Sequence, residues 1–464
     1  MSDAFILVDD PHAAHAMPVH AVRPGALDDV LDKLPPAAAA FAKGTGFSAT
    51  IGNLMAVPDA NGAICAYLAG LGADGRAFHL ARLARSLPAG AYQLVGLQDD
   101  EVEEAHRGFA LGHYWFTRYK SLAPDPDERP RLVLPEALDE TRLTLIADGA
   151  HLARDLINIP ACDMGPEAVE MAAIDLATSH GAATQVFTGH ELLREDFPMI
   201  HAVGRAAASA PRLIDITWGD IDAPKLTLVG KGVTFDTGGL DLKPGSAMAL
   251  MKKDMGGAAN VLGLAHMIME AQLPVRLRVL LPTVENAIGA GAFRPGDILR
   301  SRKGLTVEIG NTDAEGRLIL ADALAYGDED APELMIDLAT LTGAARAALG
   351  PDVPPFYTND NQLAQELAQA QHDTMDALWQ MPLFAPYDDM LNSKIADVNH
   401  IGSSPFGGSI TAALFLQRFV SRAQSWLHVD IYGWTPKNLP ECPEGGRDQA
   451  IRALFHLLEK RYGG

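Results

Sequence analysis

Three cysteines in 464 residues, Cys65, Cys162 and Cys442, are too few and too scattered for a disulfide framework or a zinc ribbon. Read as small buried hydrophobes, they fit a reducing compartment. Also missing is any uncharged apolar run near the ~18 residues a membrane span needs. The opening MSDAFILVDDPH has no basic stretch ahead of a long apolar one, so no secretory signal is expected. Basic residues are scarce: 37 Lys and Arg stand against 59 Asp and Glu, a formal charge of −22 with no Lys/Arg block. Such a surface repels phosphate backbones and disfavours nucleic-acid binding. The 48% hydrophobic and 21% charged residues are ordinary for a globular protein with a large core, and the length suggests two or three domains. The expectation is a cytoplasmic protein without a membrane partner.

Coarse patterning divides the chain. In the first ~120 residues, 47–57 and 62–71 read as strands, 78–87 as a helix and 91–96 as a strand, while Val102, Ala105, Phe109 and Phe116 suggest a helical stripe. The stretch SLAPDPDERPRLVLPEALDE (121–140) mixes proline with charge and marks the expected domain boundary. A smaller, variable α/β domain over 1–140 and a larger one over 141–464 follow, with 141–160 as a linker helix. Beyond it, Leu213–Trp218 and Lys225–Gly230 are short apolar runs of buried-strand type. Gly256–Glu270 carries Val261, Leu264, Ala265, Ile268 and Met269 at helical spacing, and Val275, Leu277, Val279 and Leu281 alternate as a strand. A hairpin turning at Lys303-Gly304, a helix over 315–326 and a strand over 334–338 come next. Strands alternating with helices predict an α/β fold: a mostly parallel, mixed central sheet flanked by helices on both faces.

Several motifs fail on inspection. His190-Glu191 opens a metalloprotease helix motif, but Arg194 stands where the second His belongs. Lys231 is followed by Gly232 and not by Ser or Thr, so no phosphate-binding P-loop forms. No nucleophile-elbow serine occurs. The fifteen His residues form no spaced ligand pair, and His106, His113 and His266 read as tolerated within helices.

Three stretches survive: KGVTFDTGGLDLKPG (231–245), LMKKDMGGAAN (250–260) and NTDAEGRLIL (311–320). Each sets carboxylates and bases beside glycine-containing turns at the ends of predicted strands, where open α/β sheets gather ligands. Converging loops would bring together Asp236, Asp254, Asp313 and Glu315. Four carboxylates in one pocket repel one another; Lys231, Lys243 and Arg317 offset part of that charge, and metal cations would offset the rest. Oxygen-rich clusters suit Mg, Mn or Zn, and bridging carboxylates can hold two ions. The plain alternative is that these acids cap helices and pair with neighbouring bases.

With these three motifs at their separations, the chain resembles the leucyl aminopeptidases, also called cytosol aminopeptidases, whose signature NTDAEGRL stands complete. ARDLINIPACDMGPEAV (153–169), PTVENAIGAGAFRPGD (282–297), IDLATLTGA (336–344) and GGSITAALFL (407–416) extend the likeness over about 150–440, while the tail from 433 keeps less of the family's glycine-rich ending. The resemblance implies a dimetal aminopeptidase hydrolysing the N-terminal residue, Leu and other apolar residues preferred, by attack of a metal-bridging water or hydroxide. It implies that Lys231, Asp236, Asp254 and Glu315 hold one metal and Asp236, Asp313 and Glu315 the other. The two divalent ions would be Zn or Mn, with Mg possible. Lys231 would have to be neutral to act as a ligand. Lys243 would stabilise the oxyanion, and Arg317 would anchor a bicarbonate that moves the proton. Met251 and Thr340 would sit near the substrate side chain. Peptides with a free N-terminus are the implied substrates, and a homo-hexamer the implied assembly. Two alternatives from other classes are a DNA-binding regulatory protein, which the charge opposes, and a two-metal phosphoesterase using the same acids.

Overall fold

The computed structural model describes residues 4–121 and 128–463. They form two compact units, one of residues 1–148 with 436–444 and one of 149–435 with 445–464. Residues 122–127 of the proline-and-charge stretch lie outside the described residues. Beyond them the same stretch supplies a strand, Pro130–Leu134. Glu140–Asn158 is a single helix, covering most of the expected linker.

The first unit is built on β1 (Phe5–Leu7), β2 (Met17–Val22), β3 (Leu54–Pro58), β4 (Ile64–Gly70), β5 (Gly90–Val95) and β6 (Pro130–Leu134). Their order is β1-β6-β5-β2-β4-β3, with every neighbouring pair parallel except β3 and β4. The strand expected from residue 47 starts only at Leu54, because Ala49 and Gly52 take positive φ (54° and 86°) and turn the chain first. Helix Asp99–Gly112 opens with a capping box between Gln98 and Glu101 and buries Ala105 and Phe109. It ends before Phe116, which the sequence pattern had placed on its stripe.

The second unit carries β7 (Ala183–Thr188), β8 (Arg212–Trp218), β9 (Lys225–Gly230), β10 (Gly232–Asp236), β11 (Arg276–Asn286), β12 (Ile298–Arg300), β13 (Thr306–Glu308), β14 (Leu334–Ala339), β15 (Pro355–Thr358), β16 (Trp379–Gln380), β17 (Val398–Asn399) and β18 (Ser425–Asp430). Nine of them form one sheet ordered β16-β15-β18-β14-β9-β11-β8-β7, with β10 pairing beside β11; β12, β13 and β17 form a small separate sheet. The centre β18-β14-β9-β11 is parallel, and β8, β7 and β15 enter antiparallel. This is the mixed, parallel-rich α/β sheet that the strand–helix alternation predicts. LMIDLA of β14 is buried at every position, as expected of a strand covered on both faces. Val229, Leu280 and Met335 share a core with Leu318–Leu324 of helix Gly316–Asp328. Helix Gly256–Glu270 is buried at nearly every position and reaches β9 where Gly230 meets Ala258.

Two local expectations change. Residues 232–236 are a strand on β11, not a loop, so Asp236 is presented from extended backbone. Cys162 is exposed rather than buried; Cys442 is buried, Cys65 is intermediate, and none of the three is in a disulfide. Among the described residues no helix is long and apolar enough to cross a membrane.

Candidate metal and active site

The sheet order fixes where the three surviving stretches meet. Lys231 follows β9, Asp236 and Asn286 end β10 and β11, Thr340 follows β14 and Asp430 ends β18, so one edge of the sheet presents them together. Asp254 lies in a short 3-10 turn, Met251–Met255, just ahead of helix Gly256–Glu270. Asp313 and Glu315 lie in the loop between β13 and helix Gly316–Asp328. A cleft of about 400 Å³ opens there, lined by Lys231, Asp236, Lys243, Asp254, Asp313 and Glu315 among others. Met251 and Thr340 line it as well; Arg317 is buried off its wall.

Two lysines tie the acids together. Lys231 Nζ is 2.7 Å from Asp254 Oδ2 and 3.0 Å from Glu315 Oε1, and donates to the Thr340 carbonyl at 2.8 Å. Lys243 Nζ is 2.8 Å from Asp236 Oδ2 and also pairs with Asp313 Oδ1. Further donors aim the carboxylates. Asn286 Nδ2 and the Gly238 amide each donate to Asp236 Oδ1 at 2.8 Å, and the Thr340 hydroxyl donates to Asp254 Oδ1 at 2.8 Å. Arg317 donates to the His400 carbonyl at 2.8 Å, while its Nε is buried without a hydrogen-bond partner among the described residues. The helix-cap alternative does not hold for Glu315: it occupies the N-cap position of its helix, but its side chain makes no capping hydrogen bond.

Charge in the cluster is unbalanced, with four acids against two ammonium groups. Burial disfavours the Lys231 ammonium, yet Asp254, Glu315 and Asp236 around it raise its pKa above the usual ammonium value. Lys243 is likewise raised, burial being outweighed by Asp236 and Asp313. Burial and repulsion from Glu315 and Asp254 push Asp236 well above the carboxylate range, and burial lifts Asp254 to about 6 against the pull of Lys231. Asp313 is raised, chiefly by burial. Glu315 moves the other way, because Lys231 and Lys243 outweigh the cost of burying it. Burial lowers Arg317 to about 10, which leaves it a cation at neutral pH.

The donor set fits divalent cations. Carboxylate oxygens of Asp236, Asp313 and Glu315 all lie within 4.8 Å of one another. Glu315 Oε2 is buried with no hydrogen-bond partner among the described residues. An unpaired buried carboxylate oxygen is costly, and a cation is the partner such an oxygen lacks. Oxygen donors with one amine suit Mn, Zn or Mg.

Sequence reasoning missed the supports. Asn286 stood inside PTVENAIG, a likeness segment with no role assigned. His400 has no motif; its ring contacts the Asn311 carbonyl at 2.9 Å, and burial lowers its pKa to about 3, so it is a neutral brace for the NTDAEGRL loop. Asp430 accepts the Leu341 and Thr342 amides at 3.0 and 3.1 Å and so shapes the loop after β14. Lys253, Arg346 and Tyr432 line the cleft without having drawn notice. Outside the cleft, His180 Nε2 and His266 Nδ1 lie 3.2 Å apart, with Glu270 close by, a pairing invisible at 86 residues of separation.

Comparison with known proteins agrees with this fold. Residues 151–455 match the model of the cytosol aminopeptidase family catalytic domain, and residues 17–135 that of the M17 aminopeptidase N-terminal domain. A probable cytosol aminopeptidase of Syntrophotalea carbinolica is 46% identical over 319 residues, 68% of this chain and 64% of that protein, so the match spans just under two thirds of the relative's length. One of Roseiflexus castenholzii is 42% identical over 76% of this chain and 75% of its own. The crystal structure of a cytosol aminopeptidase from Coxiella burnetii superposes with a TM-score of 0.93 at 44% identity, covering 99% of this chain and 100% of its own. The bottromycin maturation enzyme BotP in complex with Mn gives a TM-score of 0.86 at 33% identity, covering 96% of this chain and 99% of its own.

Proposed function

The chain belongs to the cytosol aminopeptidase family, and on that premise we propose that it is a dimetal-dependent aminopeptidase of the cytoplasm, releasing the N-terminal residue of peptides. The observation that carries the reading is Glu315 Oε2, buried without a hydrogen-bond partner among the described residues, amid the carboxylates of Asp236 and Asp313 on the wall of an open cleft.

Lys231, Asp236, Asp254 and Glu315 would hold one divalent cation, and Asp236, Asp313 and Glu315 the other, Zn or Mn being the best fit to the donors. Two such ions supply the positive charge that lowers the pKa of a water and polarises a peptide carbonyl. Lys231 balances Asp254 and Glu315 as an ammonium; it would bind a divalent cation only as the neutral amine, its proton released to solvent. Lys243 stays charged and is held over the cleft by Asp236 and Asp313, where its ammonium stabilises negative charge developing on the carbonyl oxygen. Arg317 has one edge committed to the His400 carbonyl and a buried Nε without a partner, a fork suited to a planar oxyanion such as bicarbonate. No His lines the cleft among the described residues and the acids of the cluster would be taken up with the cations, so an anion held by Arg317 would supply the proton-transferring group. Thr340 acts through Asp254, whose carboxylate its hydroxyl orients. Met251 supplies an apolar wall beside the substrate.

The test is metal-dependent hydrolysis of aminoacyl amides, with a phosphate ester assayed beside them. Activity lost with a strong chelator and restored by Mn²⁺ or Zn²⁺ is expected. Glu315→Ala should lower both metal affinity and turnover by roughly 10³-fold. Full activity of that variant, or turnover of the ester and not the amide, would sink the reading.

A further inference from the structure

One side of the cleft carries positive charge that the reaction described above does not use. Lys253 is 5% exposed, and among the described residues its ammonium makes no hydrogen bond and has no carboxylate within ion-pair distance. Its Nζ instead lies 4.6 Å from the centre of the Tyr432 ring. The guanidinium carbon of Arg346 lies 5.0 Å from the same ring, and among the described residues no ion pair occupies that side chain. The neighbouring Lys252 shows the contrast: it donates to the Asn158 carbonyl at 2.6 Å.

An aromatic face offsets part of the cost of a buried cation but leaves its hydrogen-bonding directions unmet. Two cations sharing one ring also repel each other. The acid nearest in the sheet, Asp430, is already spent: its oxygens take the Leu341 and Thr342 amides and the Thr342 and Ser409 hydroxyls. The arrangement lacks an anion, and it faces the cleft in which substrate would lie.

Its place in the cleft says which part of a substrate would supply that anion. Lys253 adjoins Asp254, and Thr340 orients Asp254, so the cations stand on the Asp254–Thr340 side of the acid cluster. That is the side where Thr340 lines the cleft and where Met251 would border the substrate. Resting on that reading, we propose that Lys253, Arg346 and Tyr432 form an anion-accepting subsite that selects peptides whose N-terminal residue is aspartate or glutamate. An acidic preference set by this chain's own residues then replaces the apolar one implied by family resemblance.

The Mn²⁺-loaded protein should be assayed with Glu, Asp, Leu and Ala amides, and with Leu-Gly carrying a free or an amidated C-terminus. Glu or Asp amide should exceed Leu amide in kcat/KM by roughly tenfold, because a site built for a polar group discriminates strongly against a substrate lacking it. Lys253→Met and, farther from the metal ligands, Arg346→Gln should each lower the Glu/Leu ratio several-fold. Mn²⁺ affinity measured on both variants separates this from damage to the metal site. L-Glutamate should bind the loaded protein more tightly than L-norleucine, and that difference should shrink in both variants. A Leu preference in the wild type with ratios unmoved in both variants overturns the proposal. So does a variant effect confined to Leu-Gly with the free C-terminus. If no amide turns over at all, the aminopeptidase reading itself fails, and the glutamate–norleucine comparison still decides the subsite.

Discussion

Lys231 and Lys243 face the same cluster with different commitments. Lys231 is wrapped by Asp254, Glu315 and a backbone carbonyl, so its nitrogen sits among the groups that would bind metal. Lys243 pairs with Asp236 and Asp313 at the cleft wall and is the more accessible of the two. A charge positioned to act mainly on the transition state contributes to kcat rather than to substrate binding. Lys243→Met is therefore expected to lower kcat by about 10²–10³-fold with KM changed only a few-fold. Steady-state kinetics on a saturating aminoacyl amide, with bound Mn²⁺ measured in parallel, checks this. A kcat near the wild-type value would remove Lys243 from the chemistry. At this scale the sequence was highly legible, since residue type and spacing in three motifs singled out the acids and bases that the fold brings together. Lys253 was not legible: a second lysine in MKKDM reads as surface charge until its burial is known.

Among the elements, the junction of β9, β14 and helix Gly256–Glu270 does most to place the site. Lys231 donates its amide to the Leu338 carbonyl and accepts from the Ala258 amide at 2.8 Å, so strand ends and helix start are locked together. Gly257 makes that approach possible, because a Cβ there would stand 2.2 Å from the Leu338 carbonyl oxygen and 2.8 Å from the Lys231 amide. Gly316 plays the matching part for the side chain, its missing Cβ leaving room 2.5 Å from Lys231 Cε. Gly257→Ala is expected to force the helix off the strands and cost about 1–3 kcal/mol, with weaker metal binding. Gly25→Ala, which meets nothing within 4 Å, should stay within about 0.5 kcal/mol in the same urea titration. An equal response of the two variants would count against the close-approach argument. The helix itself was plain in the sequence from its apolar spacing. The strand at 232–236 was not, because its glycine and polar residues suggested a loop and only pairing with β11 makes it a strand.

Across the whole molecule, a charge of −22 and an open acidic cleft favour solubility and oppose nucleic acid, while several large apolar side chains still face outward. Trp379, Phe384, Ile395 and Phe406, all within 379–406, are 46–77% exposed, and where such side chains adjoin they form a surface that a partner covers. We propose the homo-hexamer implied by family resemblance as that cover. Light scattering should give the mass of six chains, and a monomer at micromolar concentration would refute it. The division into units mixes near and distant chain, since 436–444 rejoins the first unit. PKNLPECPE (436–444) mixes proline with charge as 121–140 does, but nothing in its composition says which unit it joins. What the sequence determined by itself was the set of reacting groups and the alternation that yields a parallel-rich sheet, because both depend on residue type at short spacing. Only the tertiary structure decided the rest: which carboxylate oxygen is left without a partner, which glycines admit a helix, and which lysine is buried beside an aromatic ring. These depend on neighbours tens to hundreds of residues away, and burial, not sequence distance, sets the energy of a charge.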